Sequence, residues 1–267
     1  MSYADYERLD ALNWSTLKHI LRSPAHFMDQ RLHPSGQTEA FRIGQAFHCA
    51  ALEPDRFAKE WVRVLDGVGR RSKEDKAKWA ELEAKHPTAE LLDADDYAMV
   101  TSMRDAVFAN PQAAELLRSK GKAELVLVWK DPEFGVLCKC RIDWLTSWSN
   151  WTFIVDLKSC EDASEWDFGR SAAKYGYHRQ GAFYARGARA LANVDRRVVF
   201  IACEKKRPYG VACYEMDFDA SDAAEAGVRR ALRIYCECAE KNSWPGYESG
   251  LIPLRLPAWA TQTREGE

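Results

Sequence analysis

The chain has 267 residues, 46% apolar and 29% charged, with a formal net charge of −2. That length buries a workable core, and no apolar run approaches the ~20 residues of a membrane-spanning helix. Near-neutral charge excludes a molecule coated in positive potential, but it leaves room for a local basic channel.

In chain order, Asn13 or Ser15 is a ready N-cap ahead of Leu17, Ile20 and Leu21. Ser23-Pro24 ends that helix and starts another carrying Phe27, Met28 and Leu32, within residues 13–32. Residues 39–52 predict a third helix, in which Gly44 and His48 lie one turn apart on one face. Glycine inside a helix costs ~1 kcal/mol against alanine, so Gly44 needs a reason, such as the close approach of another backbone. His48, taken alone, reads as an ordinary core or surface histidine. A strand is expected at 61–64, a mobile loop at 66–73, and helices at 76–85, 94–109 and 112–118.

Three strands follow at 123–130, 136–145 and 151–158, joined by turns at 131–135 and 146–150. A loop at 161–169 precedes a helix at 172–191, strands at 197–204 and 211–218, and a helix at 221–242 capped by Ser221. No Gly- or Ser-rich linker divides the chain. The expectation is one mixed α/β domain over 1–243, with a helical part at about 12–118, a core at about 123–242 and an irregular tail at 244–267. The N-terminus lacks the basic-then-apolar order of an export signal, which points to the cytoplasm. Eight cysteines include no Cys-x-x-Cys pair, and five fall in or beside predicted strands, where a thiol acts as a small hydrophobe.

Strand alternation carries the chemistry. Asp156 and Lys158 share a face with Ile154, while Phe153, Val155 and Leu157 take the other. On the preceding strand Lys139, Arg141 and Asp143 oppose Cys138, Cys140 and Ile142. Two carboxylates and a lysine can thus meet at one edge of a hairpin, a costly arrangement unless a divalent cation neutralises the acids. On the helix at 172–191, Tyr177, Gln180 and Tyr184 share a face at spacings i, i+3 and i+7.

Four ordered elements then stand together: Gly44-Gln-Ala-Phe-His48, Arg141-Ile-Asp143, Asp156-Leu-Lys158 and Gln180-Gly-Ala-Phe-Tyr184. This set resembles the motifs of the PD-(D/E)xK nuclease superfamily in its RecB-like branch. Leu12-Asn-Trp-Ser-Thr-Leu-Lys18, Arg71-Ser-Lys73, Tyr177-His-Arg-Gln180 and Glu204-Lys-Lys-Arg-Pro-Tyr-Gly210 extend the resemblance to RecE-type, exonuclease VIII-like phage recombination exonucleases. Two departures stand out: no proline precedes the first acid, and the second acid is Asp156 rather than glutamate.

The resemblance implies a restriction-endonuclease-like core whose metal ligands are His48, Asp143, Asp156 and the main-chain carbonyl of Leu157. Mg²⁺ is the expected ion, and a histidine ligand makes Mn²⁺ acceptable. Lys158 would hold the attacking water, and Gln180 and Tyr184 would bond phosphate or water. Tyr177 and Arg141 are DNA-contact candidates, Arg70, Arg71 and Lys73 a basic arm on DNA, and Glu124 a further site candidate. The implied activity is 5′-to-3′ digestion of linear double-stranded DNA, leaving 3′ tails for a single-strand annealing protein. A ring-like homo-oligomer and a bacterial or phage origin are implied as well. The alternatives are a RecB-like single-strand nuclease or endonuclease, and a catalytically inactive DNA-binding or assembly module on the same fold.

Overall fold

The computed structural model describes residues 3–34, 36, 38–65, 68, 72–148 and 150–257. Arg70 and Arg71 of the expected basic arm, most of the loop expected at 66–73, and residues 258–267 lie outside that set.

Most N-terminal helices start where a short polar side chain satisfies a free backbone N–H. After α1 (Tyr3–Arg8), Asn13 caps α2 (Trp14–Leu17) by accepting from the Thr16 amide, and a 3-10 turn (Lys18–Leu21) follows. Ser23 caps α3 (Pro24–Leu32), with Pro24 where its missing N–H costs nothing. Thr38 caps α4 (Glu39–Leu52). Next come α5 (Pro54–Glu60), β1 (Trp61–Arg63), α6 (Lys73–Lys85), β2 (Glu90–Leu92), α7 (Ala94–Ala109) and α8 (Pro111–Arg118). β1 and β2 pair in parallel, so the part expected to be helical holds a small sheet. The short elements α1, α5 and β2 were not anticipated; each has too few residues to show a periodicity.

The second half is β3 (Gly121–Lys130), β4 (Leu137–Trp148), β5 (Trp151–Cys160), α9 (Glu165–Tyr175), α10 (Tyr177–Ala192), β6 (Arg197–Glu204), β7 (Val211–Glu215) and α11 (Phe218–Lys241). The strands form one five-stranded sheet in the order β3-β4-β5-β6-β7. It is mixed: β5 and β6 are parallel, joined through α9 and α10, and the other neighbours are antiparallel. Ile154, Cys140 and Ile142 pack with Phe168, Phe183 and Val228 of α9, α10 and α11. Phe153, Val155 and Leu157 pack with Phe47, Met103 and Leu116 of α4, α7 and α8. Helices therefore cover both faces, as the expected α/β class requires. All eight cysteines are free thiols. Among the described residues no helix is long and apolar enough to cross a membrane.

Several boundaries differ from the sequence reading. Residues expected as a loop at 161–169 already enter α9 at Glu165, because Phe168 stacks on Tyr214 at 5.1 Å and draws a helical face into the core. The helix expected at 172–191 is broken at Gly176, whose φ of +74° closes α9. Asp217, accepting from Ala220, caps α11 and displaces Ser221 from that role. The polar turn expected at 146–150 shrinks because Thr146 and Ser147 pair with Phe153 and Thr152. Gly44 does not admit a neighbouring backbone: a Cβ there would meet nothing within 4 Å, and the residue lines an open cleft.

Two anchors hold the hairpin β3–β4 in place. Asp131 in its turn accepts from the amides of Glu133 and Phe134, both at 3.0 Å, and pairs with Arg186 of α10, which also reaches Glu225 of α11. Buried Lys139 donates to the carbonyls of Tyr6 at 2.6 Å and Leu9 at 2.9 Å, fixing the end of α1 against β4.

Candidate active site

Along β4 and β5 the ladder runs from Trp148↔Trp151 to Trp144↔Val155. Beyond it the strands part, and the amide of Leu157 donates to Asp143 Oδ2 at 2.8 Å. A side-chain carboxylate thus replaces the missing backbone acceptor, which fixes Asp143 beside the segment Asp156-Leu157-Lys158. β3 bends at the same level. Glu124 lies between the pairs Ala123↔Trp144 and Leu125↔Ile142 with φ +49°, a left-handed conformation unusual for glutamate. Across it the faces exchange: Ala123 and Trp144 pack with the α4/α7 side, Leu125 and Ile142 with the α10 side.

Into this fork α4 brings His48, whose Nδ1 lies 3.4 Å from Asp143 Oδ2. His48, Glu124 and Asp143 each offer a ligand atom within 4.8 Å of the others. Asp156 stands beside them, 2% exposed and ion-paired with Lys158. Lys158 Nζ also donates to Gln180 Oε1 at 3.1 Å, and Gln180 Nε2 donates to the Tyr184 hydroxyl at 2.8 Å. The Lys158 ammonium lies 4.8 Å from the centre of the Tyr177 ring. All of these line a cleft of about 660 Å³ walled on one side by α1 and α4.

The charges are unevenly matched. Burial pushes the Asp156 carboxyl up to about 6; Lys158 opposes that shift, and Asp143 adds repulsion. Burial would lower Lys158, but attraction to Asp156 and then Asp143 outweighs it and raises its pKa. Burial and the Asp143 charge likewise raise Glu124. Tyr184 is raised well above its ordinary value by burial.

This donor set fits a hard divalent cation. Asp156 Oδ1 is buried and has no hydrogen-bond partner among the described residues. Carboxylate oxygens and an imidazole surround the space, and added positive charge would relieve the repulsion among the acids. His48, Asp143 and Asp156 could hold such an ion, with Glu124 in reach of the first two.

Of the residues singled out from sequence, His48, Asp143, Asp156, Leu157, Lys158, Gln180, Tyr184, Tyr177 and Arg141 all meet at this cleft. Arg141, expected on DNA, pairs with Glu124 at 2.7 Å. Lys73 opens α6 as an exposed residue and is not among those lining the cleft. Glu124, a further candidate from sequence, is the acid grouped with His48 and Asp143; strand alternation could not place it, because the backbone bend at this residue breaks the alternation.

Comparison with known proteins agrees with the fold. The crystal structure of a "Putative exonuclease" from Eubacterium rectale superposes with a TM-score of 0.58 at 13% identity, covering 95% of this chain and 94% of that one. The structure of SSO0001 aligns over 74% of this chain and 87% of its own at 12% identity, with a TM-score of 0.31 that carries no argument. No curated protein matches the sequence. The family model described as "PDDEXK-like domain of unknown function (DUF3799)" matches residues 13–253. The chain belongs to this PDDEXK-like family, and with it to the PD-(D/E)xK nuclease superfamily.

Proposed function

We propose that the protein is a metal-dependent DNA exonuclease that digests linear double-stranded DNA from 5′ ends and leaves 3′ single-stranded tails. The observation that carries the nuclease chemistry is the meeting of Asp143, Asp156 and Lys158 with His48 where β4 and β5 part. The polarity, the annealing-protein partner, a ring-like homo-oligomer and a cytoplasmic setting rest on the RecE-type motif resemblance.

His48, Asp143, Asp156 and the Leu157 carbonyl would hold Mg²⁺ or Mn²⁺, which supplies Lewis-acid polarisation of the scissile phosphate and acidifies water beside it. Lys158 places an ammonium next to Asp156, where it orients the attacking water and offsets charge on the pentacoordinate phosphorus. Gln180 accepts from that ammonium and so fixes its direction, with Tyr184 holding the amide of Gln180 in turn. Tyr177 presents its ring face to the lysine, with the ammonium 4.8 Å from the ring centre, and so favours the charged form by cation–π attraction.

The test is digestion of linear duplex DNA labelled separately at its 5′ and 3′ ends, in Mg²⁺, in Mn²⁺ and in EDTA, beside a closed circle and a single strand. Metal-dependent loss from 5′ ends with an intact circle is the expected result. Cutting of the circle would reassign the protein as an endonuclease, and preference for the single strand as a RecB-like single-strand nuclease. Binding without cleavage in either metal would reduce it to a DNA-binding module.

A further inference from the structure

The break at Gly176 does more than end a helix. It sets Tyr175 at the close of α9 and Tyr177 at the start of α10, so that their rings stack at 5.7 Å with planes 29° apart. Tyr177 is the inner ring, with the Lys158 ammonium 4.8 Å from its centre. Tyr175 is the outer ring, 50% exposed, with the Lys174 ammonium 5.2 Å from its centre. A continuous path of cation, ring, ring and cation therefore leads from the catalytic lysine to the surface. The outward face of α9 continues it with Arg170 and with Trp166, 75% exposed. Arg170 is paired with Asp167 at 3.5 Å, so the positive end of this face is the Lys174 and Tyr175 end.

An isolated exposed tyrosine needs no explanation. This one is different: it is pre-stacked on a ring that touches the reacting centre and lies beside an ammonium. Successive aromatic faces with flanking cations suit an unpaired nucleobase and its phosphate, because every base has a π-face.

We propose that Tyr175, backed by Tyr177 and flanked by Lys174, is a stacking subsite for an unpaired nucleobase beside the phosphodiester bond cut at Asp143, Asp156 and Lys158. The subsite rests on the nuclease reading above and adds to it how a duplex end is engaged. The terminal base leaves its partner and stacks on Tyr175, and the phosphate that follows it lies toward Lys158. Unpairing costs least at an end, which favours ends over the interior of a duplex.

The experiment measures binding of a fluorescent short single strand in Ca²⁺, using a set of oligonucleotides with one abasic nucleotide moved along the sequence. The wild-type protein is expected to lose about fivefold or more in affinity when the abasic nucleotide falls at one position. Tyr175→Ala should lose the same factor on the intact strand and become insensitive to the abasic nucleotide there, while Tyr175→Trp restores both. A flat abasic profile in the wild-type protein, or Tyr175→Ala binding as tightly as wild type, would overturn the subsite. The abasic series needs no variant, so a misfolded variant cannot obscure the result. Hydrolysis of bis(p-nitrophenyl) phosphate by the wild-type protein in Mn²⁺ reads the metal chemistry without any base. Its absence would count against the nuclease reading, whereas hydrolysis with a flat abasic profile would remove the subsite alone.

Discussion

Lys158 concentrates the demands of the site in one side chain. It answers Asp156, leans on Gln180 and lies over Tyr177, and burial would strip its charge if the carboxylates did not hold it. Lys158→Ala should lower cleavage turnover by orders of magnitude, each tenfold being ~1.4 kcal/mol of barrier. DNA binding in Ca²⁺ should survive, and single-turnover kinetics would show a rate unchanged if the lysine were merely structural. His48 is the ligand candidate furthest from the acids in sequence, brought to Asp143 by α4. Losing a group that only supports a ligand weakens metal binding about 10–100-fold, and His48→Gln should weaken Mn²⁺ binding at least as much in calorimetric titration. An unchanged titration would return His48 to a packing role.

At the scale of elements, the hairpin that carries Asp143 is held at its far end by the pair of Asp131 and Arg186. Asp131 is 1% exposed, so removing its partner leaves a buried charge, a loss of about 3–5 kcal/mol. Arg186→Ala should therefore lower the urea midpoint clearly, with cleavage per folded molecule little changed. Burial alone would raise the Asp131 carboxyl, but bonds from Arg186 and the Phe134 amide outweigh it and hold it below the usual carboxylate range. A depressed acid stabilises the fold above its unfolded pKa of about 3.9, and that contribution fades as pH falls through the folded value. Asp131→Asn should flatten the loss of stability below about pH 4. On α10, a Cβ at Gly187 would lie 2.7 Å from the Trp129 ring, so Gly187→Ala should cost about 1–3 kcal/mol in thermal unfolding.

The same scale shows what the sequence made legible. Strands β3 to β6 and helices α3, α4 and α7 follow from alternation, capping residues and prolines that act locally. The break at Gly176 did not, since an isolated glycine inside a helical pattern is tolerated at a cost and does not by itself mark an end. Nor did the start of α9, which depends on Phe168 finding Tyr214 across 46 positions of chain.

For the whole molecule, four short motifs spread from residue 44 to residue 184 meet in one cleft because the sheet order puts β3, β4 and β5 side by side and lays α4 and α10 on opposite faces. Strand period placed Asp156 and Lys158 correctly. The relation of Asp143 to Leu157 was hidden, because it exists only where the ladder ends and a side chain replaces a backbone acceptor. Glu124 was a candidate from sequence, but its place beside His48 and Asp143 was hidden for a related reason: a positive φ turns it out of the alternating pattern. Gly44 was misread, since its value lies in an open wall of the cleft and not in a packed contact.

The central claim is that Asp143 and Asp156 build a metal centre for phosphodiester cleavage. Its most direct test follows one labelled linear duplex through binding and cleavage by wild-type and Asp156→Ala protein, with binding read in Ca²⁺ and cleavage in Mg²⁺, Mn²⁺ and EDTA. Melting curves confirm that both proteins are folded. The expected result is comparable binding in Ca²⁺, cleavage by wild type only when Mg²⁺ or Mn²⁺ is present, and no cleavage by the variant. Cleavage by Asp156→Ala at the wild-type rate, or cleavage by wild type that persists in EDTA, would contradict it.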